Sequence, residues 1–296
     1  MPNTSCTPAN DYIKQKLDEN IKKLETTQDS DILAFVGYIT GGVDDVFREV
    51  VEQKVSRRPR RNKLTIIITT LGGYIEIVQR IVDTLRRHYK IVEFIVPNYA
   101  YSAGTVFVLS GDKIHMDYYS RLGPIDPQVE TQDGKAVPAL GYLKQWERLL
   151  EKAQRGEITL PEVQLMLYRF DQAELYKYEQ ARDLSISLLE DWLAKYKFKN
   201  WTLTKTHKLP VTTAMRKRRA KEIAEELNNT DRWHTHGYGI SMQVLQRKLK
   251  LIIDDFGKNP TLSAQINDYQ KLLDDYMIKM GQEGIIHVEG IYCECP

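Results

Sequence analysis

A serine at position 102 stands in the run Tyr-Ser-Ala-Gly-Thr, shortly after an apolar segment that ends at Pro97. Serine becomes a nucleophile when a base removes its proton and backbone amides stabilise the oxyanion that its attack creates. A serine in front of an apolar helix also has a simpler use, because its hydroxyl accepts an amide hydrogen bond as an N-cap. The local sequence leaves both roles open.

Two adjacent glycines, Gly72 and Gly73, follow a β-branched run and precede an amphipathic helix. Taken alone, the pair favours a tight strand-to-helix turn, and it matches neither a Walker loop nor GxGxxG. Glycines here also expose backbone N–H groups and let another chain approach closely. Ligands bind beyond the carboxyl ends of parallel strands, where both this pair and Ser102 fall. We therefore expect the N–H groups of Gly73 and Ala103 to stabilise an oxyanion.

A carboxylate and two histidines complete the set of reactive side chains. Asp126 lies in Leu-Gly-Pro-Ile-Asp-Pro-Gln, where Asp-Pro favours a turn and the carboxylate is also suited to orienting a histidine. His234 and His236 lie in residues 233–241, here named the histidine loop, among aromatic residues and glycines. Their HxH spacing also suits a metal, but no carboxylate or third histidine is near in sequence, so zinc is disfavoured.

The elements that would position these residues alternate along the first half of the chain. Strand patterns at 32–39, 64–70, 91–97 and 113–125 alternate with helical patterns at 43–55, 74–89 and 103–111. This alternation predicts an α/β fold with a largely parallel sheet, of the strand-helix repeat kind. A helix is also predicted at 11–28.

Beyond residue 140 the sequence becomes mostly helical. Helices are expected within 142–198 and at 212–227, 242–251 and 260–282, with Thr212 and Ser241 as caps. These patterns divide the chain into an N-terminal helical segment (1–30), an α/β core (31–140) and a mostly helical region (141–296) that carries the histidine loop.

The composition indicates a soluble globular protein, with 42% hydrophobic and 28% charged residues and a net charge of +2. The basic run at 57–63 lacks interleaved aromatics and favours a solvated loop, so no nucleic-acid partner is expected. No apolar stretch is long enough for a membrane span, and no secretory signal is visible. Three cysteines fit a reducing cytoplasm, and Cys293 and Cys295 are expected in a frayed tail rather than a metal or redox site.

The motifs YSAGT, LGPIDPQ and WHTHGYGI, in this order after the Gly-Gly turn, resemble the serine dehydrogenase proteinase family. That family belongs to the Clp protease/crotonase superfamily and is related to signal peptide peptidase A. The resemblance is strong over about residues 30–130 and extends more loosely to the histidine loop. The chain departs from the family pattern at Gly237 and Gly239, where the family has an aspartate and a proline.

The resemblance implies a serine peptidase that acts without a cofactor. It assigns Ser102 as nucleophile, Asp126 as acid and His236 as base, with His234 as the alternative base. It places the oxyanion hole at Gly73 and Ala103 and the substrate along Gly72 and Gly73. It further implies a polypeptide substrate and a homo-oligomer, with or without an ATPase partner.

Two other functions fit the same motifs. An acyl-CoA-handling crotonase-like enzyme would use the same oxyanion hole without needing the serine. A non-catalytic oligomeric scaffold would use neither, and the glycines beside His236 leave this alternative open.

Overall fold

The computed structural model describes residues 8–57, 61–126, 128–130, 136–204, 206–233, 235 and 237–296. Of residues 128–130, 136–138, 169, 230 and 231, it describes the backbone alone. Within these ranges, no helix is both long and apolar enough to cross a bilayer.

The first half of the chain alternates strands and helices as predicted. The elements are α1 (Pro8–Gln28), β1 (Asp31–Val36), α2 (Val43–Arg57), β2 (Lys63–Thr69), α3 (Ile75–His88), β3 (Ile91–Ile95), β4 (Tyr99–Ala100), α4 (Ala103–Leu109), β5 (Lys113–Met116) and β6 (Arg121–Leu122). The β-branched run Ile66–Ile68 is fully buried in β2, because helices cover both faces of a parallel sheet.

The second half is mainly helical. Its elements are β7 (Gln128–Glu130), β8 (Ala136–Pro138), α5 (Ala139–Gln154), α6 (Leu160–Arg169), α7 (Gln172–Trp192), a π-helical turn (Leu193–Lys197), α8 (Thr213–Leu227), α9 (Thr230–Trp233), β9 (Ile240–Ser241), α10 (Met242–Arg247), β10 (Asp254–Asp255), a 3₁₀ turn (Phe256–Lys258), α11 (Pro260–Met280), β11 (Ile285–Val288) and β12 (Ile291–Glu294). Thr212 caps α8, since its side chain accepts from the Met215 N–H. Ser241 precedes α10 without a side-chain capping bond, so that expectation is wrong.

Among the described residues, seven strands form the main sheet in the order β10-β5-β3-β2-β1-β11-β12. Every pair from β10 to β1 is parallel, which confirms the predicted α/β class with a largely parallel sheet. The last two strands are antiparallel to their neighbours. The three-part division of the chain stays a prediction.

The C-terminal segment is not a frayed tail. β11 pairs with β1 and β12 pairs with β11, so the last strands extend the sheet on the side of its first strand. Cys295 is buried, and its N–H donates to the Gly284 carbonyl over 2.8 Å. Burial raises the pKa of the Cys295 thiol to about 12, which leaves almost no thiolate for metal binding or redox chemistry.

A second, smaller sheet lies beside the carboxyl ends of the parallel strands. β4 pairs with β6 in parallel, and β6 pairs with β9 antiparallel. An isolated parallel bridge from Thr70 to Ala100 connects this small sheet to the end of β2. The segment before Ser102, the segment before Asp126 and the end of the histidine loop therefore belong to one sheet.

Candidate active site

Ser102 occupies a sharp turn between β4 and α4, and it is fully buried. Its backbone has φ 52° and ψ −123°, a conformation that L-residues rarely adopt. Its side chain makes no capping bond, so the helix-cap interpretation is wrong. Strained backbone of this kind costs of order 1–3 kcal/mol and persists only where the surroundings enforce it. A serine on a strained strand-to-helix turn is also the geometry of an activated nucleophile.

Packing around α4 enforces this turn. All seven residues of the helix are buried, so it sits inside the core. Thr105 fixes its start, because the Thr105 hydroxyl lies 2.8 Å from the Ala100 carbonyl oxygen and accepts from the Gly123 N–H over 2.9 Å. These bonds hold the strand before Ser102, the helix after it and the strand of Asp126 together.

The Gly72–Gly73 turn lies directly against Ser102. A Cβ on Gly72 would stand 2.6 Å from the Tyr101 carbonyl oxygen and 2.8 Å from the Ser102 Cβ, so only glycine fits. Gly72 and Gly73 have φ of 102° and 147°, which glycine adopts without strain. The Ile39 N–H donates to the Gly72 carbonyl over 2.8 Å and holds the turn on the end of β1.

The backbone amides of Gly73 and Ala103 each follow one residue of the contact between Gly72 and Ser102. Within the described part of the chain, neither the Gly73 N–H nor the Ala103 N–H has a hydrogen-bond acceptor. A Cβ on Gly72 would lie 3.2 Å from the Ala103 nitrogen, which places the glycine turn beside that amide. Unsatisfied buried amides are rare, and a pair beside a serine can hold an oxyanion.

Asp126 is buried and contacts Ser102 through its backbone. The Ser102 hydroxyl donates to the Asp126 carbonyl oxygen over 2.7 Å. The Asp126 carboxylate accepts from the Leu140 N–H over 2.9 Å at the beginning of α5. A carboxylate has about four acceptor positions, so it can accept from several donors at once.

His234 and His236 lie outside the described residues, so the structure leaves their roles as predictions. Both flanks of the histidine loop are described. At one flank Trp233 is buried and its indole N–H donates to the Glu226 carbonyl over 2.8 Å. At the other, Ile240 pairs with Leu122 in the antiparallel β6–β9 ladder.

The segment that carries Asp126 also contacts the helix before the loop. The Ile125 N–H donates to the Leu227 carbonyl over 2.9 Å, at the end of α8. Residues 121–125 therefore bond both to β9, at one end of the histidine loop, and to the end of α8, six residues before the loop begins.

Two other histidines have structural partners. His115 contacts Glu93 over 3.1 Å. Burial opposes ionisation of Glu93, but the bond from His115 outweighs it and lowers the pKa of Glu93.

His287 is buried between the Tyr269 hydroxyl at 2.8 Å and Asp18 at 3.1 Å. No local pattern predicts the His287 network, because its members are up to 269 positions apart. In the described ranges no cluster of His, Cys, Asp or Glu could hold a metal.

The fold and the site define an α/β protein whose largely parallel sheet carries a strained serine at the carboxyl ends of its strands. Residues 38–196, more than half of the chain, match the family of ClpP-like SDH-type serine proteinases. The chain belongs to this family, as its motifs predicted.

The three similar proteins described next share at most 30% sequence identity with the chain. The uncharacterized protein MJ0137 of Methanocaldococcus jannaschii is 30% identical over 184 residues, which cover 61% of this chain. The match spans 58% of that relative's own length. A serine-to-alanine mutant of the membrane-bound stomatin-specific protease 1510-N is 14% identical with a TM-score of 0.43, covering 78% of this chain and 81% of that one. ClpP1 from Listeria monocytogenes is 11% identical with a TM-score of 0.41, covering 83% and 98% of the two chains.

Proposed function

We propose that this protein is a serine peptidase in which Ser102 is the nucleophile. The observation that carries the proposal is the strained, buried Ser102 with the open N–H groups of Gly73 and Ala103 beside it. An acyl-CoA-handling enzyme would need these amides without needing a serine in a costly conformation. The strain therefore favours the peptidase over that alternative.

The small sheet supports a base in the histidine loop. Leu122 lies opposite Ile240 in an antiparallel ladder, so one end of the loop is held beside the strand that precedes Asp126. We propose His236 as the base and His234 as the alternative, because Thr235-His236 resembles the Thr-His pair of the family better than His234 does.

The reaction we propose begins when Ser102 Oγ attacks a peptide carbonyl and His236 takes its proton. Asp126 orients the imidazole and stabilises its charged form. The oxyanion accepts hydrogen bonds from Gly73 and Ala103, each worth roughly 3–4 kcal/mol in the transition state. The amine leaves with the proton from His236, and water then hydrolyses the acyl-serine ester. The peptide would lie extended along Gly72–Gly73.

Self-association is part of the proposal. α6 exposes Leu160, Leu167 and Tyr168, each more than 70% accessible in the single chain. Exposed apolar residues on one helix are typical of surfaces that are covered in an assembly. We propose a homo-oligomer acting on polypeptides. Sedimentation that shows only monomer would contradict this part.

Labelling with a fluorophosphonate tests the nucleophile. We expect labelling and casein cleavage by the wild type and none by Ser102→Ala. Ser110→Ala is the matched control, because Ser110 is also buried, at the other end of α4, and should leave labelling unchanged. A folded wild type that neither labels nor cleaves would overturn the peptidase and favour a scaffold.

The same assay identifies the base. His236→Ala should lower the labelling rate at least about 10³-fold, whereas His234→Ala should change it less than about tenfold. The reverse order would assign His234.

A further inference from the structure

The small sheet has one buried face and one open face. Ala100, Leu122 and Ile240 are fully buried and face the core. Because side chains alternate along strands, the neighbouring residues face the other way. The other face therefore carries Tyr99, Arg121 and Ser241 of the three strands. Tyr101, Gly123 and Gly239 lie next to the strand ends on the same side.

The ring of Tyr101 crosses this open face from the nucleophile strand to the histidine loop. A Cβ on Gly123 would stand 2.8 Å from Tyr101 Cδ1, so the ring lies over Gly123. A Cβ on Gly239 would stand 3.4 Å from the Tyr101 hydroxyl, so the far end of the ring reaches β9. The ring is also stacked on Tyr99, with centroids 5.2 Å apart.

The Arg121 side chain also packs against Gly239. A Cβ on Gly239 would lie 3.0 Å from Arg121 Cδ and 3.1 Å from its Cγ. The Arg121 guanidinium is fixed, since it donates to the Tyr118 and Tyr119 carbonyls over 2.8 and 2.9 Å. The end of the histidine loop is thus held between the tyrosine ring and the arginine stem. This close packing gives a steric reason for Gly239, whereas a Cβ on Gly237 would meet none of the described residues within 4 Å.

We propose that Tyr101 is a positioning residue that sets the distance between Ser102 and the base in the histidine loop. Tyr101 is the residue before the nucleophile, and its far end contacts the loop three residues after His236. The rigid ring extends from the residue before Ser102 to Gly239 in the histidine loop, so a shift of one segment moves the other. The Tyr101 hydroxyl oxygen approaches Gly239 as a packing contact, so the length and rigidity of the side chain carry this role. The inference rests on the proposed peptidase.

The test compares four variants by kcat, KM and fluorophosphonate labelling rate, with melting temperature as the check of folding. Tyr101→Ala and Gly239→Ala should each lower kcat and labelling about 30- to 100-fold with KM within about threefold, because a misplacement of about 1 Å costs about 10²-fold. Tyr101→Phe should retain activity within about threefold. Gly237→Ala is the matched loop control and should match the wild type.

The outcomes distinguish a failure of the positioning role of Tyr101 from a failure of the proposed peptidase function. Wild-type rates in folded Tyr101→Ala and Gly239→Ala would overturn the positioning role and leave the peptidase intact. Equal losses in Gly237→Ala and Gly239→Ala, or a loss in Tyr101→Phe as large as in Tyr101→Ala, would also overturn it. A wild type that is not labelled would overturn the peptidase itself.

Discussion

The Ser102 hydroxyl donates to the backbone carbonyl of Asp126, whereas the Asp126 carboxylate accepts from the Leu140 N–H. The two proposed triad members are therefore joined in this state by main chain and not by the carboxylate. A base must replace that carbonyl as the acceptor before Ser102 can attack. Asp126→Asn keeps the carbonyl contact and so isolates the contribution of the carboxylate.

The strain at Ser102 predicts that glycine is preferred there over alanine. Ser102→Gly and Ser102→Ala both lose the hydroxyl bond, worth about 1 kcal/mol, but only glycine relieves the positive φ. We expect the glycine variant to have a free energy of unfolding about 1 kcal/mol higher than the alanine variant. Urea unfolding measures this difference.

Ser110 provides the control for that comparison. Its φ of −72° is ordinary, so Ser110→Gly should be less stable than Ser110→Ala by about 0.5–1 kcal/mol. If the glycine variant were less stable than the alanine variant at both positions, Ser102 would not be strained.

The contact between Gly72 and Ser102 predicts a large effect of a single methyl group. In Gly72→Ala the new Cβ would strike the Tyr101 carbonyl and Ser102, so stability should fall by about 2 kcal/mol or more and labelling should be lost. Gly141→Ala lies inside α5, where a Cβ would meet none of the described residues within 4 Å, and should raise stability by up to about 1 kcal/mol. Thermal unfolding of both variants checks the prediction, and a stable, labelled Gly72→Ala would contradict the observed geometry.

Lys197 predicts a pH dependence of stability. Burial lowers its pKa to about 8, although Asp254, Asp112 and Glu93 oppose the change. Between that value and the ordinary lysine pKa of about 10.4, the unfolded chain binds a proton that the folded chain has released. The contribution of Lys197 to the free energy of unfolding therefore rises with pH in this window.

Lys197→Met isolates this effect. The variant should be more stable than the wild type near pH 7, and the difference should shrink near pH 9.5. Lys195→Met, at an exposed position two residues earlier, should show no such change. Urea unfolding at the two pH values measures it, and a constant difference for Lys197→Met would mean that its amine is not desolvated.

Local patterns were sufficient for most of the first half of the fold. The buried run Ile66–Ile68 and the apolar face of α3 need only their own periodicity to be recognised. The C-terminal hairpin was missed although Ile285–Val288 and Ile291–Glu294 flank a short turn with Gly290 at φ 71°. Its pairing with β1 joins residues some 250 positions apart, and no local signal encodes such a partner.

The candidate site, like the fold, could be predicted from the sequence only in part. Residue types and order were enough to select Ser102, Gly72 and Gly73, because their positions after strands follow from the α/β pattern. The bond from Ser102 to a carbonyl could not be predicted, since every residue carries that group. The reach of Tyr101 across two strands also depends on a register that only the folded sheet defines.

The place of the C-terminal hairpin has a consequence for how the protein is made. β1 leaves the ribosome early, but β11, its neighbour on one side, is synthesised about 250 residues later. At a synthesis rate of roughly 5–20 residues per second, that edge of β1 waits roughly 12–50 s for its partner. An uncovered strand edge is a template for wrong pairing during that time. That edge of β1 is covered only after β11 has been synthesised and has paired with it.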